Sequence, residues 1–163
     1  MKIVIISDIH DNLTNLDLCL AWCKRESIET LICCGDITNA ETVSLMAENF
    51  SNDIYAVKGN CGLFDDQEIT QFKNIQYLGR LGRVNLGGKN IGICHEPFFI
   101  EKVRELGECD IIFYGHTHKP WIEEKGRTIE ANPGTLGGVF QRATFSFYDT
   151  QTGQLELKVL DIL

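Results

Sequence analysis

The stretch Lys2-Ile3-Val4-Ile5-Ile6-Ser7-Asp8-Ile9-His10-Asp11-Asn12 decides how the rest of the chain is read. Residues 2–7 are a run dominated by Ile and Val, the pattern of a strand buried on both faces. The run stops abruptly at Asp8-Ile9-His10-Asp11-Asn12. Beyond it Leu13, Leu16, Leu20 and Cys23 recur at helical spacing, with Asn12 or Thr14 available as the N-cap. A carboxylate and an imidazole therefore sit two residues apart where a buried strand ends, and a short turn there can direct both side chains into one site.

The device repeats outward from this point. Residues 30–34 read as a second strand stopping at Gly35-Asp36, and residues 54–57 as a third stopping at Gly59-Asn60. A helix is expected between them over residues 40–49, with Val43, Leu45 and Met46 on its apolar side. Strand–helix–strand–helix–strand builds a parallel sheet, and such sheets gather ligands at the carboxyl ends of their strands. Here each of the three strands ends in a potential metal ligand.

The second half changes character. Residues 76–86, 90–94, 110–114, 121–124, 128–131, 143–148 and 154–160 read as strands, and residues 98–106 as one helix. Gly87-Gly88-Lys89-Asn90, Lys125-Gly126 and Thr150-Gln151-Thr152-Gly153 read as hairpin turns. Gly87-Gly88-Lys89 is a turn and not a phosphate loop, because the longer GxxxxGK[ST] frame is missing. No linker, repeat or low-complexity stretch interrupts the chain, so residues 1–163 are expected to form a single α/β domain with two sheets and flanking helices.

Composition narrows the function classes. A formal charge of −8, with Lys and Arg scattered along the chain, argues against stable nucleic-acid binding. The seven cysteines are odd in number and lack CxxC spacing, which reads as free thiols in a reducing cytoplasm. The first residues lack the apolar length of a signal peptide, and no segment offers the roughly 20 apolar residues of a membrane span. The expectation is a soluble cytoplasmic protein.

The four histidines are His10, His95, His116 and His118, and each follows a predicted strand end. Imidazole with carboxylate suits borderline divalent cations such as Zn, Mn, Fe, Co or Ni. Asp8, His10, Asp36, Asn60, His95, His116 and His118 are seven candidate ligands. That is too many for one catalytic zinc, which takes three protein ligands and an open position. Two cations use them comfortably, and paired cations recur in phosphatases and nucleases.

Asp8-Ile9-His10, Gly35-Asp36, Gly59-Asn60, His95 and Gly115-His116-Thr117-His118, in that order, resemble the calcineurin-like metallophosphoesterase superfamily. Gly59-Asn60-Cys61 and the closing Asn132-Pro133-Gly134-Thr135 resemble its small single-domain phosphodiesterase branch. The resemblance implies a four-layer α-β-β-α sandwich of two mixed β-sheets flanked by helices. It implies that Asp8, His10 and His118 hold one metal, that Asn60, His95 and His116 hold a second, and that Asp36 bridges them. Asp36, Asn60 and His95 are then the catalytic positions, and a hydroxide shared by the two cations, Mn first among the candidates, attacks phosphorus in line. Two divalent cations with two carboxylates and a hydroxide leave a site of about +1, which matches a phosphodiester monoanion better than a monoester dianion. The expected substrate is a small or nucleotide-like phosphodiester. A phosphomonoesterase or nucleotide pyrophosphatase is the nearest alternative, and a protein-docking scaffold like the retromer subunit of the same fold is the alternative of another class. A homo-oligomer is compatible with either.

The chain departs from the family pattern at three places. Many relatives carry a His as general acid where this chain has Cys61, and a neutral thiol is a poor substitute, so Cys61 either leaves protonation to water or tunes the pocket's shape. Gly62 stands where small-branch relatives often have Asp. Glu96-Pro97 replaces a common Gly-His, and Glu96 reads as a surface residue ahead of a partner to the ligands or an acid that disfavours anionic substrates. Asn12 reads as a helix cap ahead of a substrate contact. Arg142 reads as an exposed Arg, with a phosphate contact as the alternative.

Overall fold

The structure is a computed structural model and describes residues 1–163. The chain opens with β1 (Lys2–Ile6), α1 (Leu13–Arg25), β2 (Thr30–Cys33), α2 (Ala40–Asn49) and β3 (Asp53–Ala56), and the three strands pair in parallel. A short helix α3 (Asp66–Thr70) leads to β4 (Ile75–Tyr77), which adds in parallel to the edge of the same sheet. The second sheet is built from β5 (Leu81–Leu86), β6 (Lys89–Cys94), β7 (Ile111–Phe113), β8 (Trp121–Lys125) and β9 (Thr128–Asn132), with helix α4 (Ile100–Glu105) between β6 and β7. The chain then returns to the first sheet through β10 (Thr144–Asp149) and β11 (Gln154–Val159). The sheets run β11-β10-β1-β2-β3-β4 and β5-β6-β7-β9-β8, each mixing parallel and antiparallel pairs.

The opening strands show why two sheets stack between two helical layers. Along β1, Val4 and Ile6 point into the cluster under α1 and α2, while Ile3 and Ile5 point into the cluster shared with the second sheet. Along β2, Leu31 and Cys33 take the helical side, and Ile32 faces the other sheet. Strand side chains alternate faces, so an unbroken apolar run is what a strand covered on both sides requires. Each such Ile contributes roughly 1.5–3 kcal/mol by leaving water. On the outer face of the second sheet, Ile100 and Val103 of α4 pack against Cys94, Cys109, Ile112 and Tyr114. The four layers are thus α-β-β-α.

Several local expectations meet the structure directly. Asn12 caps α1, its Oδ1 accepting from Asn15 N at 3.1 Å. Gly87 and Gly88, with φ of 56° and 80°, close the β5–β6 hairpin between the paired Leu86 and Lys89. All seven cysteines are free, and only Cys61 is exposed. No helix is long and apolar enough to cross a membrane.

Two expectations need correction. The single strand read over residues 76–86 is two strands in different sheets, because the chain crosses between them at Leu78-Gly79-Arg80, where Gly79 takes φ 70°. Apolar residues on both sides hid the break. The helix read over residues 98–106 is shorter: Pro97–Phe99 form a 3-10 turn, and α4 proper has six residues. The five-residue α3, set by a capping box between Asp65 and Glu68, is too short for apolar periodicity to announce it.

Candidate metal centre

The carboxyl ends of β1, β2, β3, β6 and β7 converge at one edge of the sandwich and bring all four histidines there. Asp8, His10, Asp36, His116 and His118 have positive φ values of 54°, 46°, 52°, 70° and 59°. Left-handed backbone is uncommon for residues with a Cβ and costs of order 1–3 kcal/mol each, so it persists only where the surroundings impose it. Here the loops impose it on one another. Asp8 N donates to Gly35 O, and the amides of Ile9 and His10 both donate to Asp36 O, each at 3.1 Å. His116 N donates to Asp8 Oδ2 at 3.0 Å, and Gly115 N to His95 O at 2.9 Å. Gly59 is required by close approach: a Cβ there would run into the carboxylate and backbone nitrogen of Asp36.

The side chains then meet at ligand distances. Asp8 Oδ1 lies 3.2 Å from His118 Nε2, 3.8 Å from His10 Nε2 and 4.0 Å from His95 Nε2. His10 Nε2 and His118 Nε2 face each other at 3.0 Å. Asp36 Oδ2 lies between two rings, 3.8 Å from His10 Nε2 and 3.3 Å from His95 Nε2. Its other oxygen accepts from Cys61 N at 2.9 Å. Asn60 Oδ1 sits 3.0 Å from His95 Nε2 and 2.8 Å from His116 Nδ1.

Three groups can hold a cation, namely Asp8–His10–His118, His10–Asp36–Cys61 and Asp8–Asp36–His95. They share Asp8, His10 and Asp36, so they form one extended centre with donors for two divalent cations. His116 and Asn60 lie outside these groups and join the centre through the Asn60 amide. The donor set fits metal on its own evidence: Asp8 Oδ1 is fully buried, has no hydrogen-bond partner, and is surrounded by imidazole nitrogens. A buried carboxylate oxygen without a partner is costly, and a cation among these rings satisfies it.

Second contacts fix the rings. His95 Nδ1 faces Cys34 O at 2.7 Å and His118 Nδ1 faces Val139 O at 3.3 Å. A carbonyl oxygen only accepts, so each Nδ1 carries the proton and each Nε2 lone pair is left for the centre. Burial works against the charged form of Asp36. The hydrogen bond and charge of His95, the Cys61 amide and the charge of His10 together outweigh it and hold the carboxyl at about 2. Burial likewise works against protonated His95, yet the hydrogen bond to Asp36, the charges of Asp8 and Asp36 and the Cys34 carbonyl raise its pKa above the ordinary value.

The remaining positions fall around this centre. Cys61 Sγ accepts from Asn60 Nδ2 at 3.2 Å, which turns the amide oxygen toward His95 and His116. Desolvation and the charges of Asp36 and Asp8 push its thiol up, so it stays neutral and is a poor nucleophile. Asn12 is committed on both atoms of its amide, as the α1 cap and as donor to Gly137 O at 3.0 Å. Arg142 is exposed and paired with Asp161 at 2.6 Å.

Glu96 corrects the surface reading. It is buried, with Oε1 paired to Arg80 at 3.2 Å and Oε2 lacking a partner. It follows directly on buried His95, and the long Arg80 side chain reaches over to pair with the carboxylate.

Asn132 carries more than its place in a motif revealed. Its amide nitrogen donates to Gly115 O at 2.8 Å and Thr117 Oγ1 at 3.1 Å, buttressing the loop that holds His116 and His118. Asp11 ties the first loop to α2 by accepting from Asn39 N at 3.2 Å and Thr42 Oγ1 at 2.7 Å.

Phosphodiesterase MJ0936 of Methanocaldococcus jannaschii is 28% identical over 173 residues, covering 99% of this chain and all of that one. A solved archaeal phosphodiesterase superposes with a TM-score of 0.88 at 26% identity, covering 98% of this chain and 99% of its own. Vps29 of Entamoeba histolytica, solved with Zn²⁺, superposes with a TM-score of 0.71 at 18% identity and 97% coverage of both chains, a likeness of fold alone. The model of the calcineurin-like phosphoesterase superfamily domain matches residues 1–153. With five strand ends bringing carboxylates, an amide and four imidazoles together at one edge of the sandwich, the chain belongs to the calcineurin-like phosphoesterase superfamily.

Proposed function

We propose that the protein is a metal-dependent phosphodiesterase that hydrolyses small phosphodiesters. The observation that carries this is Asp36: one carboxylate oxygen lies between His10, which groups with Asp8 and His118, and His95, which groups with Asn60. That placement supports Asp36 as the bridge, with Asp8, His10 and His118 on one side and Asn60, His95 and His116 on the other. Bound there, a pair of divalent cations supplies a hydroxide nucleophile at neutral pH and neutralises charge developing on the phosphoryl oxygens. Mn²⁺ is the proposed occupant, one of the borderline cations that carboxylate and imidazole donors together accept.

The chain's own part is positioning. The Cys34 and Val139 carbonyls hold His95 and His118 in the ligating tautomer, and the Cys61 thiol keeps the Asn60 oxygen inward. Because Cys61 is a neutral thiol, protonation of the leaving group falls to water, and diesters with good leaving groups are cleaved best. The buried carboxylate oxygen left open among three imidazoles supports a metal centre, and the two phosphodiesterase relatives, which span nearly the whole chain, favour an enzyme over a docking scaffold. The free thiols and acidic charge fit a single cytoplasmic domain over residues 1–163 that has no stable association with nucleic acid or membrane and is able to self-associate.

With Mn²⁺, the purified protein is expected to hydrolyse bis(p-nitrophenyl) phosphate at least about tenfold faster than p-nitrophenyl phosphate, reflecting charge match at the site. A preference for the monoester would replace this reading with a phosphomonoesterase, and turnover of neither across divalent metals would favour the scaffold.

Metal is expected to leave on acidification. Imidazoles ligate only when neutral, and the raised pKa of His95 lets protons compete from a higher pH than for an ordinary His. The sign is therefore retention in alkali and loss in acid. Dialysis from about pH 8 to about pH 5 followed by metal analysis should show the loss. Full occupancy retained at the lower pH would contradict it.

A further inference from the structure

The metal centre is open. Asn60, Cys61 and His116 are exposed, while a cavity of about 510 Å³ lies elsewhere, lined by Arg104, Cys109 and Arg127 among others. A small substrate at such a centre needs a hold beyond its phosphate.

One residue beside the centre has no role so far. Phe140 is 91% exposed, yet its ring lies nearly parallel to His118, with centroids 6.3 Å apart and an interplanar angle of 21°. Its φ is 61°, a strained conformation that bulky residues rarely adopt and that carries a cost. Nothing in the core is gained for that cost, since almost all of the ring faces water.

The backbone around Phe140 is nonetheless anchored to the centre. Gly137 N donates to Asp8 O at 2.9 Å, Asn12 Nδ2 donates to Gly137 O, and Val139 O receives the His118 ring proton. On the far side, Leu160 N donates to Ala143 O at 2.9 Å. The same short segment therefore orients a metal-centre imidazole and presents an aromatic face to solvent beside it.

Resting on the phosphodiesterase reading, we propose that Phe140 is a substrate-positioning platform on which the nucleobase of a nucleoside phosphodiester stacks. A flat aromatic ring left bare on an anchored loop recognises another flat ring, and base–aromatic stacking is indifferent to which base is offered. The ring stands next to His118, so a base stacked on it lies beside the metal centre. The acidic surface disfavours a long polyanionic strand, so the occupant is a small nucleotide and not a polymer.

The test compares AMP with ribose 5-phosphate, which share the phosphate and sugar and differ in the base. Calorimetry on the Mn²⁺-loaded protein should give AMP an affinity roughly 5- to 150-fold higher, the range of one stack. Phe140→Ala should bring the ratio near one. Phe140→Gly, which suits the positive φ and preserves the backbone, should do the same, and Phe140→Trp should keep the preference. A wild-type ratio near one, or equal weakening of both ligands by Phe140→Ala, would overturn the platform and leave the ring as a cover for His118. If wild type then still turns over bis(p-nitrophenyl) phosphate, the phosphodiesterase reading survives that result. Binding of neither phosphate would likewise overturn the platform, and loss of bis(p-nitrophenyl) phosphate turnover as well would overturn the phosphodiesterase reading with it.

Discussion

Asp36→Ala is expected to lose both cations together and to lower kcat/KM on bis(p-nitrophenyl) phosphate by at least about 10³-fold. An outer ligand serves one cation, but Asp36 Oδ2 lies within 4 Å of imidazoles from both groups, 3.8 Å from His10 and 3.3 Å from His95. Removing it also leaves the Cys61 amide without its acceptor and frees the loop that carries Asn60. Asp36→Asn separates charge from geometry. It keeps an oxygen for the Cys61 amide but gives up the anion between the rings, so the fold and the loop should persist while metal is still lost. Metal analysis of the two variants against wild type is the check. Two cations at full occupancy in Asp36→Ala would remove Asp36 from the bridge.

The sequence was most legible where one residue's chemistry and its distance from a strand end carried the message. Asp8, His10, Asp36 and Asn60 each follow a short apolar run, and the parallel sheet collects the ends of such runs by its topology. His95, His116 and His118 come from the other sheet, and their convergence with the first four was implied by an ordered motif set and not by spacing. The chain could not announce what depends on the third dimension. Left-handed backbone at Asp8, His10, Asp36, His116 and His118 follows from loops hydrogen-bonding across strands far apart in sequence. Glu96 reads as a surface acid because its partner, Arg80, is sixteen residues away across a sheet crossing. The crossing itself, at Gly79, lies between two apolar segments that look continuous. Phe140 resembles any surface aromatic until its ring is seen against His118.

Metal removal should abolish activity outright. Nothing else at the centre supplies a nucleophile: Cys61 is a neutral thiol turned toward the Asn60 amide, and the imidazoles point at carboxylates and at one another. The metal-free protein should still fold, because the inter-sheet cluster and the cluster beneath α1 and α2 form from apolar side chains alone. It should nonetheless melt at a lower temperature than the loaded form, since a ligand that binds only the native state stabilises it by mass action, by about 2.7 kcal/mol at a hundredfold excess over Kd. Asp8 Oδ1, now without a partner, gains one in the loaded state.

The most direct measurement is therefore a titration of Mn²⁺ into chelator-stripped protein, following hydrolysis of bis(p-nitrophenyl) phosphate at a protein concentration well above Kd. The two-cation account predicts no turnover without metal and a rise that reaches its plateau at about two equivalents per chain. A plateau at one equivalent, or turnover in the stripped protein, would contradict it.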